Sequence, residues 1–462
     1  MNGINAQGKA HRAEIVCGIF GGIDETAGLG SSYEFKKEGG FAMSRRFRWV
    51  GFGLLLVALV LLSWGPALAA APPKAVKIGI TAPLTGPAAE AGVALKQGFL
   101  LAMEEWNAKG GVMLKEFNKK IPVEVLIEDC QSKPEVGVSM AEKLFTRDKV
   151  DVLLGDAFHS SVTMAIMELA PKYGKPIMSV EPVSEEIAKK IASNPKRYWN
   201  FWKGDWGSTA YADSVFSTYR FLEKQGAYQS KAKKIAFIVE DTDYGRSNAE
   251  KTKELFSGIG FQSVTMETVP LGHTDFYPQL GKIKSLGADV LMSVFTPLSS
   301  GVALAKQFQE VGLKAYHHAI YYPLRPEFVP QAGKAGDSLL WSPLLVDPVN
   351  VPLHKEFGER IQKRWNVVMN NDHASGYDGL NNVLDSIGRA GSLDPKKVVE
   401  ALSKLDRKGI MGRWVFEQSN HQIKAGEEFV PVPAAQIVDG KSKIVWPQSL
   451  AGAKFQLPPW LK

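Results

Sequence analysis

The chain has 462 residues, 45% of them hydrophobic and 22% charged, which is too long for one ordinary domain and too apolar for a disordered polymer. Its net charge of +7 is spread along the chain without a basic block, so nucleic acid is not an expected partner. Two cysteines, Cys17 and Cys130, exclude a scaffold stapled by several disulfides.

In chain order, the first readable element is Met43 to Ala70. Arg45, Arg46 and Arg48 form a basic start, Val50 to Leu62 an apolar run, and Ala67-Leu68-Ala69 an A-x-A-like cleavage site, the order of a secretory signal peptide. A permanent anchor is the alternative, but the run is shorter than the roughly 20 apolar residues a span needs, and Gly51 and Gly53 interrupt it. No Cys follows the run, so a lipid-anchored start has no support. Residues 1–42 precede an n-region that normally opens a protein. Met43 is therefore the expected true start and 1–42 a mis-assigned extension, with a folded extension as the alternative. Processing at Ala70 leaves about 390 residues, enough for two domains. It also leaves Cys130 without an intrachain partner, expected as a buried, inert thiol.

From Val76 onward, short apolar runs bounded by Gly or Pro alternate with amphipathic stretches of helical length, the pattern of a parallel sheet covered by helices. Strands are predicted at Val76 to Ile80, Pro122 to Ile127, Val150 to Leu154, Pro176 to Val180, Ile235 to Val239, Ser263 to Met266 and Val290 to Val294. A helix is predicted over Ala94 to Trp106, closed by the turn residues Asn107, Gly110 and Gly111. Two similar series result, one to about Val183 and one from about Lys233 to Tyr322, with the aromatic-rich link Tyr198-Trp199-Asn200-Phe201-Trp202 between them. The echo is clearest where Asp151-Val-Leu-Leu154 precedes Ser160-Ser161 and Asp289-Val-Leu-Met292 precedes Ser299-Ser300. Serine at a helix start either caps free N–H groups or, with the helix dipole, makes an anion site. Two such termini in equivalent places favour a shared ligand cleft beyond the carboxyl ends of the strands.

The common enzyme signatures are missing: no G-x-G-x-x-G after a strand, no P-loop, no H-E-x-x-H and no G-x-S-x-G elbow. His317-His318 is not a metal pair, because adjacent strand residues point to opposite faces. Glu185-Glu186 and Asp241-x-Asp243 read as solvated loop acids. No catalytic residue, metal or cofactor is expected.

In their order and spacing, Val76-Lys-Ile-Gly-Ile-Thr-Ala-Pro-Leu-Thr-Gly86, Asn107-Ala-Lys-Gly-Gly111, Gly155 through Ser160-Ser161, Asp243-Tyr244-Gly245 and Gly376-Tyr377-Asp378 resemble the type I periplasmic solute-binding proteins of branched-chain amino acid ABC importers. The resemblance covers nearly all of the mature chain. It implies an α/β fold of two Rossmann-like lobes with parallel central sheets joined by a three-crossover hinge. Lobe 1 is expected at 75–199 plus about 322–411, lobe 2 at 204–318 plus about 414–450, with a tail at 451–462. It further implies a monomeric periplasmic carrier that closes on a small-molecule ligand without chemistry and presents it to a membrane permease with its ATPase.

For the site, the resemblance points to Ser160 and Ser161 for a ligand carboxylate and to Tyr244 on the wall of the second lobe. Thr296 falls where the family has another aromatic. The loop Glu181-Pro-Val-Ser184 brings Glu181 and Ser184 where the family offers small residues and a Thr. The family acid that grips the ligand ammonium aligns near Tyr321, so either Glu181 takes that role or the ligand is not an α-amino acid. The family disulfide is missing, because Cys130 matches its first half and Phe158 its second. Phe158, Trp199, Trp202 and Tyr321 offer stacking surfaces for a planar ligand. A sensory module read by a membrane receptor or kinase is the alternative function, and an exported hydrolase using Glu181 and Asp156 ranks last.

Overall fold

The structure is a computed structural model that describes residues 71–462, with Ser32, Glu34 and Lys36 as isolated positions before them. The signal peptide expected at Met43 to Ala70 and the extension before it lie outside the described residues. Among the described residues no helix is long and apolar enough to cross a membrane.

Two sheets organise the chain. The first holds β1 (Val76–Ala82), β2 (Val123–Asp129), β3 (Val152–Leu154), β4 (Ile177–Ser179) and β5 (Phe201–Lys203), all parallel, in the order β2-β1-β3-β4-β5. The second holds β6 (Lys234–Glu240), β7 (Gln262–Val269), β8 (Val290–Phe295), β9 (Tyr316–Tyr321) and β10 (Leu340–Ser342), parallel in the order β7-β6-β8-β9-β10. An antiparallel hairpin, β11 (Ala434–Val438) and β12 (Lys441–Trp446), extends its β10 edge. The order is the same in both sheets, so the internal echo in the sequence is a repeat of architecture: two Rossmann-like lobes of the type I periplasmic binding protein fold. All seven predicted strands are present. β5, read as part of an aromatic-rich link, and β9 to β12 were not among the predicted strands, and β10 falls inside 322–411, the stretch expected to belong to lobe 1, yet pairs in the second sheet.

Parallel strands covered on both faces by helices carry continuous apolar runs, and β3, β8 and β9 are buried along their whole length. His317 and His318 on β9 point to opposite sides, His317 to Ser293 Oγ (2.7 Å) and His318 to Ser342 Oγ (2.9 Å) and Tyr316 OH (3.2 Å). Burial pulls both rings down to about 3, so they are neutral core residues.

Two motifs prove to be architectural. Asn107, in the helix Ala89–Ala108, bonds both the N–H (2.8 Å) and the carbonyl (2.9 Å) of Val123, tying that helix to the edge strand β2. Gly111, at φ +93°, lies where a Cβ would stand 2.0 Å from the carbonyl oxygen of Ile121, so no side chain fits. Gly376 lets the helix Asn371–Ala390 pack directly on the helix Ala89–Ala108: a Cβ there would lie 2.3 Å from Leu95 O. Asp378 is buried and accepts from Arg407 Nη2 (2.7 Å), Met411 N (3.0 Å) and Trp414 Nε1 (3.2 Å).

Candidate functional site

The loops leaving the carboxyl ends of β3, β4 and β5 face those leaving β6, β8, β9 and β10 across one cleft with about 610 Å³ of empty space. This is the general position for ligands in open α/β sheets, here supplied twice.

On the first-sheet side, the loop after β3 brings Phe158, His159, Ser160 and Ser161 to the cleft. Ser160 opens the helix Ser160–Ile166 but does not cap it. The capping position is His159, which makes no side-chain cap bond, and Ser160 Oγ instead accepts from Ser184 N (3.1 Å). Asp156, fully buried beneath this loop, accepts from His159 N (2.6 Å) and lies 3.8 Å from Cys130 Sγ. Cys130 is buried and free, and burial pushes its thiol well up, as its inert reading requires. After β4 comes Glu181, whose Oε2 is buried without a hydrogen-bond partner. After β5 come Asp205 and Trp206, both buried.

On the second-sheet side, β6 ends in Glu240, which accepts from Thr296 N (2.6 Å), Thr296 Oγ (3.0 Å) and Thr242 Oγ (3.0 Å). Thr242 also caps the helix Asp243–Ser257 by accepting from Gly245 N (3.1 Å). Gly245 is required because a Cβ would lie 2.2 Å from Glu240 O, and this close approach sets Tyr244 at the cleft. Tyr321 closes β9 at φ +78° and ψ −59°, a sparsely populated conformation that costs of order 1–3 kcal/mol for a non-glycine residue. Its surroundings hold it there: Tyr321 OH donates to Asp372 Oδ1 (2.9 Å) and accepts from Arg325 Nη2 (2.8 Å), while Arg325 Nη1 pairs with Asp372 Oδ2. Arg325 is 3% and Asp372 0% exposed at the side chain, so this ion pair is fully desolvated.

An aromatic chain lines the wall. Phe158 meets Tyr321 at 5.7 Å between centroids, Tyr321 meets Tyr244 at 6.5 Å, Tyr244 meets Tyr211 at 6.4 Å and Tyr211 meets Trp206 at 5.8 Å. Tilted and edge contacts at such distances are favourable. Burial pushes the three phenols well above their usual range, so they stay protonated donors.

Of the nine residues expected at the site, Phe158, Ser160, Ser161, Glu181, Tyr244, Thr296 and Tyr321 line the cleft. Ser184 and Trp202 do not. Ser184 caps the helix Glu185–Ser193 by accepting from Glu186 N (3.3 Å), so its hydroxyl is committed to the backbone. Trp202, on β5, alternates away from the cleft: it stacks on His421 at 4.2 Å and 10° and meets Phe416 at 5.0 Å. Trp199 packs against the core. Sequence reading missed Asp205, Trp206 and Tyr211, because the aromatic link before them reads as a connector. It also missed Glu240, whose only signal is an acid ending a strand just before Thr242-Asp243-Tyr244. Ser299-Ser300, the echo of Ser160-Ser161, stays off the cleft, and Thr296 takes its place.

The profile described as periplasmic binding protein matches residues 75–440. The Leu/Ile/Val-binding protein homolog 7 of Brucella melitensis is 28% identical over 424 residues, which is 87% of this chain and 99% of that protein. Among solved structures, a branched-chain amino acid transporter substrate-binding protein from Streptococcus pneumoniae in complex with isoleucine superposes with a TM-score of 0.67 at 22% identity, covering 81% of this chain and all of that one. A solute-binding protein of an ABC transporter from R. palustris, in complex with benzoate, superposes with a TM-score of 0.66 at 18% identity, covering 82% of this chain and 99% of that one. With the duplicated sheets and the cleft between them, the match over residues 75–440 means that this chain belongs to the periplasmic binding protein family.

Proposed function

We propose that the chain is the periplasmic substrate-binding component of an ABC importer. It binds an amino acid or a related small, aromatic-compatible carboxylate in the cleft, as a monomer, and delivers it to a membrane permease served by an ATPase. It acts by hinge closure, without catalysing a reaction. The observation that carries this reading is the set of buried polar atoms without protein hydrogen bonds around one cleft, Glu181 Oε2, Trp206 Nε1, Tyr244 OH and His159 Nε2, while His159 Nδ1 lies 3.7 Å from Asp156 Oδ2. Buried polar groups are normally satisfied, so these atoms equip the cleft to hold a small polar molecule. Ser160 and Ser161 with the adjoining N–H groups receive a carboxylate, and Phe158, Tyr244 and Tyr321 form the walls. Thr296 braces the far side. Isoleucine and benzoate in the solved relatives bound the size of that ligand.

The lobe boundary near 199/204 is kept in this reading, and the return expected near 411/414 moves beyond Ile423, because His421 and Ile423 bond Lys203 on β5 of the first sheet. The crossing expected near 322 moves to follow Ser342, since β10 pairs in the second sheet. Mass spectrometry of small molecules released on denaturing the purified protein, followed by thermal-shift screening against amino acids, aromatic acids and amides, tests the reading. A stabilising ligand is expected; none across the whole panel refutes it.

A further inference from the structure

Behind the wall of the cleft, three residues with metal-ligating side chains converge. Cys130 directly follows β2, and Asp156 and His159 lie in the loop after β3. Both segments are pinned to the end of β1, the strand between β2 and β3: Cys130 N donates to Ala82 O (3.0 Å) and Ala157 N to Thr81 O (2.9 Å). Cys130 Sγ lies 3.8 Å from Asp156 Oδ1, His159 Nδ1 lies 3.7 Å from Asp156 Oδ2, and one ligand atom from each residue lies within 4.8 Å of the other two. Cys130 and Asp156 are fully buried and His159 is 9% exposed. Their polar capacity is only partly met by the protein. Neither ring nitrogen of His159 makes a hydrogen bond, and among the described residues His159 is the one basic side chain that stands beside Asp156.

We propose that Cys130, Asp156 and His159 form a binding site for one divalent transition-metal ion of the zinc class, behind the loop that brings Phe158, Ser160 and Ser161 to the cleft. A tetrahedral zinc ion with ligands at about 2.0 to 2.3 Å sets its ligand atoms about 3.3 to 3.6 Å apart. The separations of 3.7 and 3.8 Å need to shrink by only a few tenths of an ångström. The third, bounded by 4.8 Å, closes by rotation of the thiol or the imidazole. A sulfur and an imidazole nitrogen select zinc and its neighbours over magnesium and calcium, which take oxygen ligands. Three protein ligands leave a fourth position for water.

Charge favours the ion as well. Burial and the nearby Asp156 push the Cys130 thiol well up, so without a metal it keeps its proton and is inert. A coordinating ion deprotonates a thiol outright, the proton leaving to solvent, so inertness as a free thiol and use by a metal are compatible. A divalent ion, a thiolate, a carboxylate and a neutral imidazole sum to zero, the net charge that a buried site holds at least cost. Bound there, the ion ties the residue that ends β2 to the loop after β3 and fixes the backbone from Asp156 to His159 beside the serines of the cleft. Entry is from the cleft, which His159 lines.

The experiment uses the purified full chain without a histidine tag, stripped with a chelator and kept reduced by a phosphine, with cobalt(II) chloride and zinc chloride alone as probes. The expected result is one cobalt ion per chain with a thiolate-to-cobalt charge-transfer band, displaced by an equivalent of zinc. Zinc at a hundredfold excess over Kd should raise Tm by about 3 °C. Cys130→Ser abolishes the band and His159→Gln weakens cobalt binding by about tenfold or more, each variant checked for folding by circular dichroism. Cys17→Ser leaves band and affinity unchanged. The wild type and Cys17→Ser decide the matter even where a buried-site variant does not fold: no charge-transfer band in the first, or its loss in the second, overturns the site. A band that survives Cys130→Ser does the same. None of these outcomes touches the solute-binding reading, which thermal shift with organic ligands tests separately.

Discussion

The adjacent histidines of β9 make acid lability a quantitative expectation. His317 is 3% and His318 0% exposed, and each ring is held near a pKa of about 3 by burial, against 6.5 when free. The folded value lies below the unfolded one, so the associated stability is present above about 6.5 and is lost as pH falls toward 3. Between pH 7 and pH 5 each ring costs about 2 kcal/mol, from 2.303RT times the roughly 1.5 units between 6.5 and 5. At about 2.1 cal/mol/K per residue, a cooperative unit of some 390 residues has an unfolding entropy near 0.8 kcal/mol/K. Each ring then lowers Tm by about 2 to 3 °C over that interval. Glu181, Asp205 and Asp372, whose carboxyls are raised, act oppositely, since the folded state gains protons there as pH falls. The observable is therefore a difference between proteins. Tm is measured by calorimetry at pH 7 and pH 5 for the wild type, His317→Gln and His318→Asn. Each variant should show a Tm decrease between the two pH values smaller by about 2 to 3 °C than that of the wild type, whatever its absolute stability. An unchanged decrease in both variants would refute the assignment of these rings as neutral in the fold and protonated on unfolding.

Two further perturbations probe the packing and the cleft. Gly376→Ala drives a Cβ toward Leu95 O and should destabilise by about 2 kcal/mol or more despite the better helix propensity of alanine. Gly281→Ala, in the exposed helix Tyr277–Leu286 with nothing within 4 Å, should stabilise by about 0.5 to 1 kcal/mol; urea titration reads both. Breaking the Arg325–Asp372 pair should be asymmetric, because a carboxylate can take up a proton and a guanidinium cannot shed one. Asp372→Asn should cost about 3 to 5 kcal/mol and Arg325→Met less, while the Arg325→Met/Asp372→Leu double variant recovers much of the loss. Equal costs for the two single variants in urea titration would contradict the geometry.

The sequence was legible where structure is local. β1 and β8 read directly because a strand covered on both faces has few residue types to choose from, and Asn107 to Gly111 read as a turn because only glycine tolerates that backbone. β10 did not, since it is three residues long, follows long loops and is placed by pairing across the sheet, whereas the hairpin β11 and β12 does carry a local signal, its Asp439-Gly440 turn. The same division runs through the cleft. Ser160 and Tyr244 sit in motifs whose spacing fixes them, so the family pattern found them. Trp202 was misplaced because an aromatic run says nothing about which side of a three-residue strand each ring takes. Asp205 and Trp206 follow that strand and became visible only once it was paired. The Asp372–Arg325–Tyr321 cluster joins residues up to 51 positions apart, beyond what local pattern can connect.

The ends of the two sheets bear on a different matter, self-association at high concentration. An open strand edge is a template for another molecule. The second sheet does not end on β10: the hairpin β11 and β12 continues it and terminates in a strand carrying Lys441 and Lys443. The first sheet ends on the three-residue β5, whose Lys203 N–H and carbonyl are taken by His421 O (2.8 Å) and Ile423 N (3.2 Å). Its other edge, β2, carries Glu124, Glu128 and Asp129. These three margins are thus shortened, paired or charged, whereas β7, the other edge of the second sheet, is an eight-residue strand whose one charged residue is Glu267, and it is the margin most open to pairing with a second molecule.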